Sequence, residues 1–223
     1  MELYSHRGFH TDLLENTLAA FAAAVALGVD GIETDLRLSA DGQIMVFHDA
    51  VAPSGEAVAA LTLSQLCDQA GQAVLTLPQV LDWTEQHNYA FRWNFEIKTP
   101  ETFGPTLDLL TTRSLPQPPL VTSFWHDCIQ AAATQRSDLD FGLIWAHYPA
   151  DFDQVQWFDL RANVSTLVVY QERLTPNFVS QVHQRQMRLF TYGDQSLQDL
   201  QRLHTWGVDA VISDRPDWWL DDE

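Results

Sequence analysis

Lysine is almost missing from this chain of 223 residues: eleven of its twelve basic residues are Arg, and Lys98 stands alone. Basic residues are themselves outnumbered by thirty acidic ones, which leaves a formal charge of −18. A field of that sign repels nucleic acid and anionic bilayers, so neither a nucleic-acid partner nor stable membrane association is expected. A small anionic substrate is still admissible, because distant charges are screened beyond about 8 Å at physiological salt and a local cationic cluster can prevail. Long apolar runs are missing too. Met1 to His10 has neither the basic start nor the apolar stretch of a secretory signal. Cysteine is limited to Cys67 and Cys128, far apart and at no metal or redox spacing. The expectation is a reduced, cytoplasmic protein.

Other absences narrow the fold and the chemistry. No repeat of matching sequence and no low-complexity tract occurs. No Gly-rich phosphate turn follows an early strand, which argues against a doubly wound open sheet. No His-x-His pair follows the first strand, which argues against a zinc amidohydrolase.

What is present is alternation. With 46% apolar residues the chain can bury one large core, and residues 1–223 are expected to form a single domain. Strands are expected at Leu3 to His6, Gly31 to Leu38, Arg92 to Ile97, Leu120 to Thr122, Phe141 to Ile144, Leu167 to Tyr170, Leu189 to Tyr192 and Ala210 to Ser213. Asp41-Gly42 marks a turn, after which Ile44 to Phe47 returns as a short extra strand. Helical patterns lie between, at Asn16 to Leu27 with Asn16 as cap, Thr62 to Gln69, Pro78 to His87, Glu101 to Thr112, Val179 to Gln186 and Leu197 to Trp206, while 49 to 60 reads as loop. Eight strands alternating with helices predict an α/β (β/α)8 TIM barrel, with a short strand-hairpin insertion after the second strand.

The polar residues fall at the ends of the first strands. The first ends in His6-Arg7-Gly8, the second carries Glu33-x-Asp35, its returning partner ends in His48-Asp49, and the third barrel strand ends in Glu96-x-Lys98. In this fold such positions converge on one mouth. Residues two apart on a strand share a face, so Glu33 and Asp35 aim together, and Glu96 adds a third carboxylate. Carboxylates without Cys suit a hard divalent metal, Mg²⁺ or Ca²⁺. His6 and His48 are the candidate acid and base, since imidazole titrates near neutrality. Arg7 and Lys98 are candidate phosphate contacts, Arg through its fork and Lys as a point charge. The competing reading of the acids is a buried ion-pair network, and of Lys98 a structural pair with Glu96.

These residues carry a resemblance. His6-Arg7-Gly8, Glu15-Asn16-Thr17, Gly31-Ile32-Glu33-Thr34-Asp35, Asp41-Gly42, Val46-Phe47-His48-Asp49, Phe95-Glu96-Ile97-Lys98 and Ser123-Phe124 occur in an order that resembles the glycerophosphodiester phosphodiesterase family. Gly207 through Ser213-Asp214-Arg215-Pro216 resembles its closing strand. The resemblance implies a phospholipase C-like barrel, a metal at Glu33, Asp35 and Glu96, paired catalytic histidines at His6 and His48, and a small-molecule glycerophosphodiester substrate cleaved to glycerol 3-phosphate and an alcohol. A phospholipid- or other phosphodiester-cleaving relative, or a non-catalytic metal- or phosphate-binding homologue, is the alternative. Two departures stand out: Ala50 to Ala60 is short and nearly uncharged where the family has a longer insertion, and Phe190-Thr191-Tyr192-Gly193-Asp194 replaces a Trp-Thr-x-Asn pattern.

Among aromatics, Phe124 and Trp125 follow a strand end and are candidate pocket walls. Trp83, Trp93, Trp145, Trp157 and Trp206 read as packing residues. His126 and His147 have no partner motif and read as structural, and the Trp218-Trp219-Leu220 rings are expected to pack.

Overall fold

The computed structural model describes residues 1–87, 89–146 and 163–220. Nine strands are seen among them: β1 (Glu2–His6), β2 (Gly31–Leu38), β3 (Ile44–Val46), β4 (Arg92–Ile97), β5 (Leu120–Ser123), β6 (Asp140–Trp145), β7 (Val164–Tyr170), β8 (Arg188–Tyr192) and β9 (Ala210–Ser213). Eight of them pair in parallel in the order β1-β9-β8-β7-β6-β5-β4-β2, and a β1–β2 pairing closes the ring. This is the (β/α)8 barrel expected. The hairpin insertion is there too: β3 runs antiparallel along the end of β2, Leu36 facing Val46 and Leu38 facing Ile44.

The helices are α1 (Leu18–Leu27), α2 (Leu63–Ala70), α3 (Leu77–His87), α4 (Pro100–Leu110), α5 (His126–Gln135), α6 (Pro176–Gln184), α7 (Leu197–Thr205) and α8 (Asp217–Leu220). The cap of α1 differs from expectation. Thr17, not Asn16, sits at the N-cap and its side chain accepts from Ala20 N, an interaction worth about 1 kcal/mol. Asn16 is drawn inward instead. Helix α5 has no clear sequence signal, because its buried stripe consists of Ile129, Ala132 and Ala133 only.

Two apolar layers follow from strand alternation. Side chains pointing inward fill the lumen, among them Tyr4, Leu120, Ile144, Val168, Phe190 and Ala210. Those pointing outward meet the helices. Trp93 on β4 anchors that outer layer: Phe21 of α1 meets it edge-on at 5.1 Å, Phe95 stacks at 5.4 Å, and its Nε1 donates to Thr84 Oγ1 at 3.0 Å. A buried indole is tolerated there because its one donor is satisfied. Trp83 is buried beside it, Trp145 and Trp206 are half-buried, and Trp218, Trp219 and Leu220 pack against the outer layer. Trp157 and His147 lie outside the described residues. Among the described residues no helix is long and apolar enough to cross a membrane.

Candidate active site

Register explains why the polar residues meet. In the β1–β2 pairing His6 lies level with Glu33, and in the β2–β4 pairing Glu33 lies level with Asn94 and Asp35 with Glu96. Parallel neighbours in register point to the same side, so the C-terminal ends of three adjacent strands deliver these groups to one mouth. The fourth contribution comes from the hairpin. Phe47 N donates to Asp35 O at 3.0 Å, and Arg37 Nε donates to His48 O at 2.8 Å, which turns His48 back to the rim. One pocket is lined by His6, Arg7, Glu33, His48, Glu96, Lys98 and Phe124 together with Asn94, Ile144, Val168, Tyr192 and Ile212.

The loop after β1 is shaped for this. Arg7 and Gly8 both have positive φ, 56° and 79°. A Cβ at Gly8 would lie 2.7 Å from the Ala20 backbone, so only glycine lets the turn rest against α1. Arg7 Nη1 donates to both Glu15 oxygens, at 3.0 and 2.9 Å, and its Nε lies 3.2 Å from Asp35 Oδ2. The guanidinium lines the pocket while tethered on two sides.

Glu33, Asp35 and Glu96 each offer a carboxylate oxygen within 4.8 Å of the others. Asp35 lies fully buried beneath the pocket surface. Its Oδ2 accepts from Asn16 Nδ2 at 3.1 Å, and Lys98 Nζ lies 2.8 Å from Oδ1. Burial would raise its pKa, but Lys98 and Arg7 outweigh that and hold it below the usual carboxylate range. Glu33 is the opposite case. Both its oxygens are buried without a hydrogen-bond partner, and burial, aided by the Asp35 charge, pushes its pKa up to about 8. Buried polar atoms are normally satisfied, so two orphaned oxygens beside two further carboxylates fit a hard cation with oxygen ligands.

Lys98 bridges the cluster, 2.8 Å from Asp35 and 2.5 Å from Glu96 Oε1. The pairing with Glu96 is therefore present, but not alone. Burial would lower the ammonium pKa, and the surrounding Glu96, Asp35 and Glu33 charges reverse this and raise it.

Each candidate histidine has an aspartate on Nδ1. His6 meets Asp214 Oδ1 at 2.6 Å, and His48 meets Asp49 Oδ1 at 2.8 Å. His6 Nε2 faces Glu33 Oε2 at 3.8 Å. Burial disfavours the charged His6 ring, but the Asp214 bond and the Glu33 charge prevail and raise its pKa.

Of the two aromatic candidates, Phe124 lines the pocket. Trp125 is not among the lining residues; its Nε1 donates to Lys98 O at 3.1 Å, tying the ring to the end of β4. His126 bonds Ile144 O. Sequence reasoning passed over four participants. Asn94 lies two and four residues before Glu96 and Lys98 on one strand face, a period-two signal that was available. Tyr192 ends β8 at the pocket wall. Asn16 and Asp214 stand inside the Glu15-Asn16-Thr17 and Ser213-Asp214-Arg215-Pro216 stretches of the resemblance, which mark the positions without indicating what either side chain touches.

The model of the glycerophosphoryl diester phosphodiesterase family matches residues 6–218. A glycerophosphodiester phosphodiesterase of Caldanaerobacter subterraneus subsp. tengcongensis is 26% identical over 232 residues, covering 96% of this chain and 93% of that protein. The crystal structure of a glycerophosphodiester phosphodiesterase from Thermotoga maritima superposes with a TM-score of 0.81 at 22% identity, covering 99% of this chain and 97% of that one. An Oleispira antarctica phosphodiesterase, solved in complex with the product sn-glycerol-3-phosphate, superposes with a TM-score of 0.84 at 21% identity, covering 100% and 96%.

Proposed function

Since the chain belongs to the glycerophosphoryl diester phosphodiesterase family, we propose that it hydrolyses glycerophosphodiesters to glycerol 3-phosphate and an alcohol with Glu33, Asp35 and Glu96 holding Mg²⁺ or Ca²⁺. The observation that carries this reading is the orphaned Glu33 carboxylate, buried beside Asp35 and Glu96 and flanked by His6. When bound, the ion supplies positive charge to the phosphoryl oxygens.

The chain's own residues do the rest. Lys98 and Arg7 neutralise the diester charge. One imidazole takes the proton of the attacking hydroxyl, of water or of the neighbouring glycerol carbon, as its oxygen bonds to phosphorus; where the glycerol hydroxyl attacks, a water then opens the cyclic phosphate to glycerol 3-phosphate. The other gives a proton to the departing alcohol oxygen as its P–O bond breaks. Phe124 and Tyr192 shape the wall on which the alcohol rests. The Oleispira complex with sn-glycerol-3-phosphate supports that product. Cytoplasmic residence fits the two unbonded cysteines, Cys67 and Cys128.

One observation favours a second reading, in which the diester carries an apolar group. Phe124 and Trp125 are each 46% exposed, an unusual pair of large apolar rings at a strand end. A panel of glycerophosphocholine, glycerophosphoethanolamine and lysophosphatidylcholine, each assayed with Mg²⁺ and with Ca²⁺, separates the two. Preference for the water-soluble diesters is expected. His6→Ala and His48→Ala should each lower kcat by roughly 10²- to 10⁴-fold. Parent activity in both variants would show that the imidazoles are structural.

A further inference from the structure

The closing pair of strands brings together two residues that are 208 positions apart in the chain. In the β1–β9 pairing Ser5 lies level with Ser213. His6 ends β1 and Asp214 follows the last residue of β9, and their side chains meet at 2.6 Å. The turn that carries Asp214 is itself fixed. Ser213 Oγ donates to Asp194 Oδ2 at 2.6 Å and accepts from Arg215 N at 2.9 Å.

The chemistry of the contact decides the tautomer. An ionised carboxylate only accepts, so the ring nitrogen facing it carries the proton. His6 Nδ1 is therefore the protonated nitrogen of the neutral ring. Its Nε2, the atom that looks toward Glu33, keeps its lone pair. His10 does not compete for this role. Its Nδ1 lies 2.8 Å from Gly8 O, a carbonyl that can only accept, so its proton is used there, and its Nε2 is 3.8 Å from Asp214. Among the described residues His6 is the one side chain hydrogen-bonded to this carboxylate.

We propose that Asp214 is a positioning residue for the reaction: it holds His6 in the Nδ1–H tautomer and at the ring angle that turns Nε2 into the pocket. This rests on the proposed role of His6. An orienting carboxylate of this kind acts through the imidazole and touches no substrate, and its loss elsewhere costs orders of magnitude in turnover through the wrong tautomer. The side chain of Asp214 is 61% exposed apart from this contact, so Asp214→Ala removes the acceptor without opening a cavity.

The test combines kinetics with a spectroscopic signature, using the full-length protein loaded with Mg²⁺ or Ca²⁺. Asp214→Ala should lower kcat by roughly 10- to 10³-fold, with KM and melting temperature near the parent values. In the His6→Ala background the same substitution should change kcat less than about twofold, because residues acting as one unit are not additive. Nitrogen-15 spectra of the His6 ring, taken at alkaline pH and assigned by loss of its signals in His6→Ala, should show the proton on Nδ1 in the parent. In Asp214→Ala they should show a shift toward the Nε2–H form. An unchanged ring tautomer, or an equal kcat cost with and without His6, would overturn the proposal. Full activity of His6→Ala itself would overturn the catalytic reading beneath it, and is told apart by that single variant.

Discussion

Asn16 reaches Asp35 across nineteen residues, its Nδ2 donating to Oδ2 at 3.1 Å while its Oδ1 accepts from Thr34 Oγ1 at 2.7 Å. The amide is thus locked on both sides and presents only a donor to the carboxylate. It also stands at φ 57°, a left-handed backbone that Asn tolerates better than most residues.

Two substitutions separate these contributions. Asn16→Gly keeps the backbone and removes the donor, so divalent-ion affinity should fall by about 10- to 100-fold with only a small drop in stability. Asn16→Ala removes the donor and adds about 1 kcal/mol or more of backbone strain. Calorimetric ion titration and thermal melts of both variants check this, and equal melting temperatures for the two would refute the strain argument.

Glu33 links metal to pH. Its folded pKa of about 8 lies above the ordinary 4.5. A raised carboxylate stabilises the fold fully below the unfolded pKa, and that stability is lost as pH rises through the folded one. Metal-free protein should therefore lose melting temperature between about pH 4.5 and 8. Saturating Mg²⁺ or Ca²⁺ should abolish the loss, and Glu33→Gln should flatten it while abolishing turnover. A pH-independent melt of metal-free protein would contradict the burial argument.

Lys98 contacts two carboxylates rather than one. Lys98→Met deletes the charge but keeps the stem, so ion affinity should hold or rise as repulsion draws in the cation, while kcat falls by roughly 10²-fold or more. Lys98→Arg tests size, since a guanidinium fork does not fit the single point shared by Asp35 and Glu96. Turnover and ion titration on both variants decide the matter; near-parent activity in Lys98→Arg would overturn the argument from size.

Gly193 explains one departure from the family pattern. At φ 87° it has the left-handed backbone, and a Cβ there would lie 2.2 Å from the Tyr170 ring. That ring sits 5.5 Å from Tyr192, which lines the pocket. Gly193→Ala should destabilise by at least about 1 kcal/mol from the backbone alone and should raise KM several-fold as the tyrosine pair shifts. Unchanged KM in steady-state assays would mean that this wall does not meet the substrate.

Barrel strands and the acid cluster were legible because both depend on short periods. Glu33 and Asp35, or Asn94, Glu96 and Lys98, share a face through spacing of two, and strand ends converge in this fold. The roles of Asn16 and Asp214 depend on partners far along the chain, and no local period encodes them. Asn16 and Thr17 are both good caps, and which one caps α1 is settled by the pull of Asp35 and Thr34 on Asn16. Helix α5 escaped notice because its Ile129, Ala132 and Ala133 stripe is too weak to stand out.

The chain's single ε-amine lies among carboxylates at 11% exposure. Lysine-directed reagents therefore have one side chain to find in the whole protein, and they find it protonated and sheltered. Reductive methylation with carbon-13 formaldehyde would place one lysine reporter beside the acids. Its chemical shift would follow the arrival of a divalent ion with no other lysine signal to obscure it.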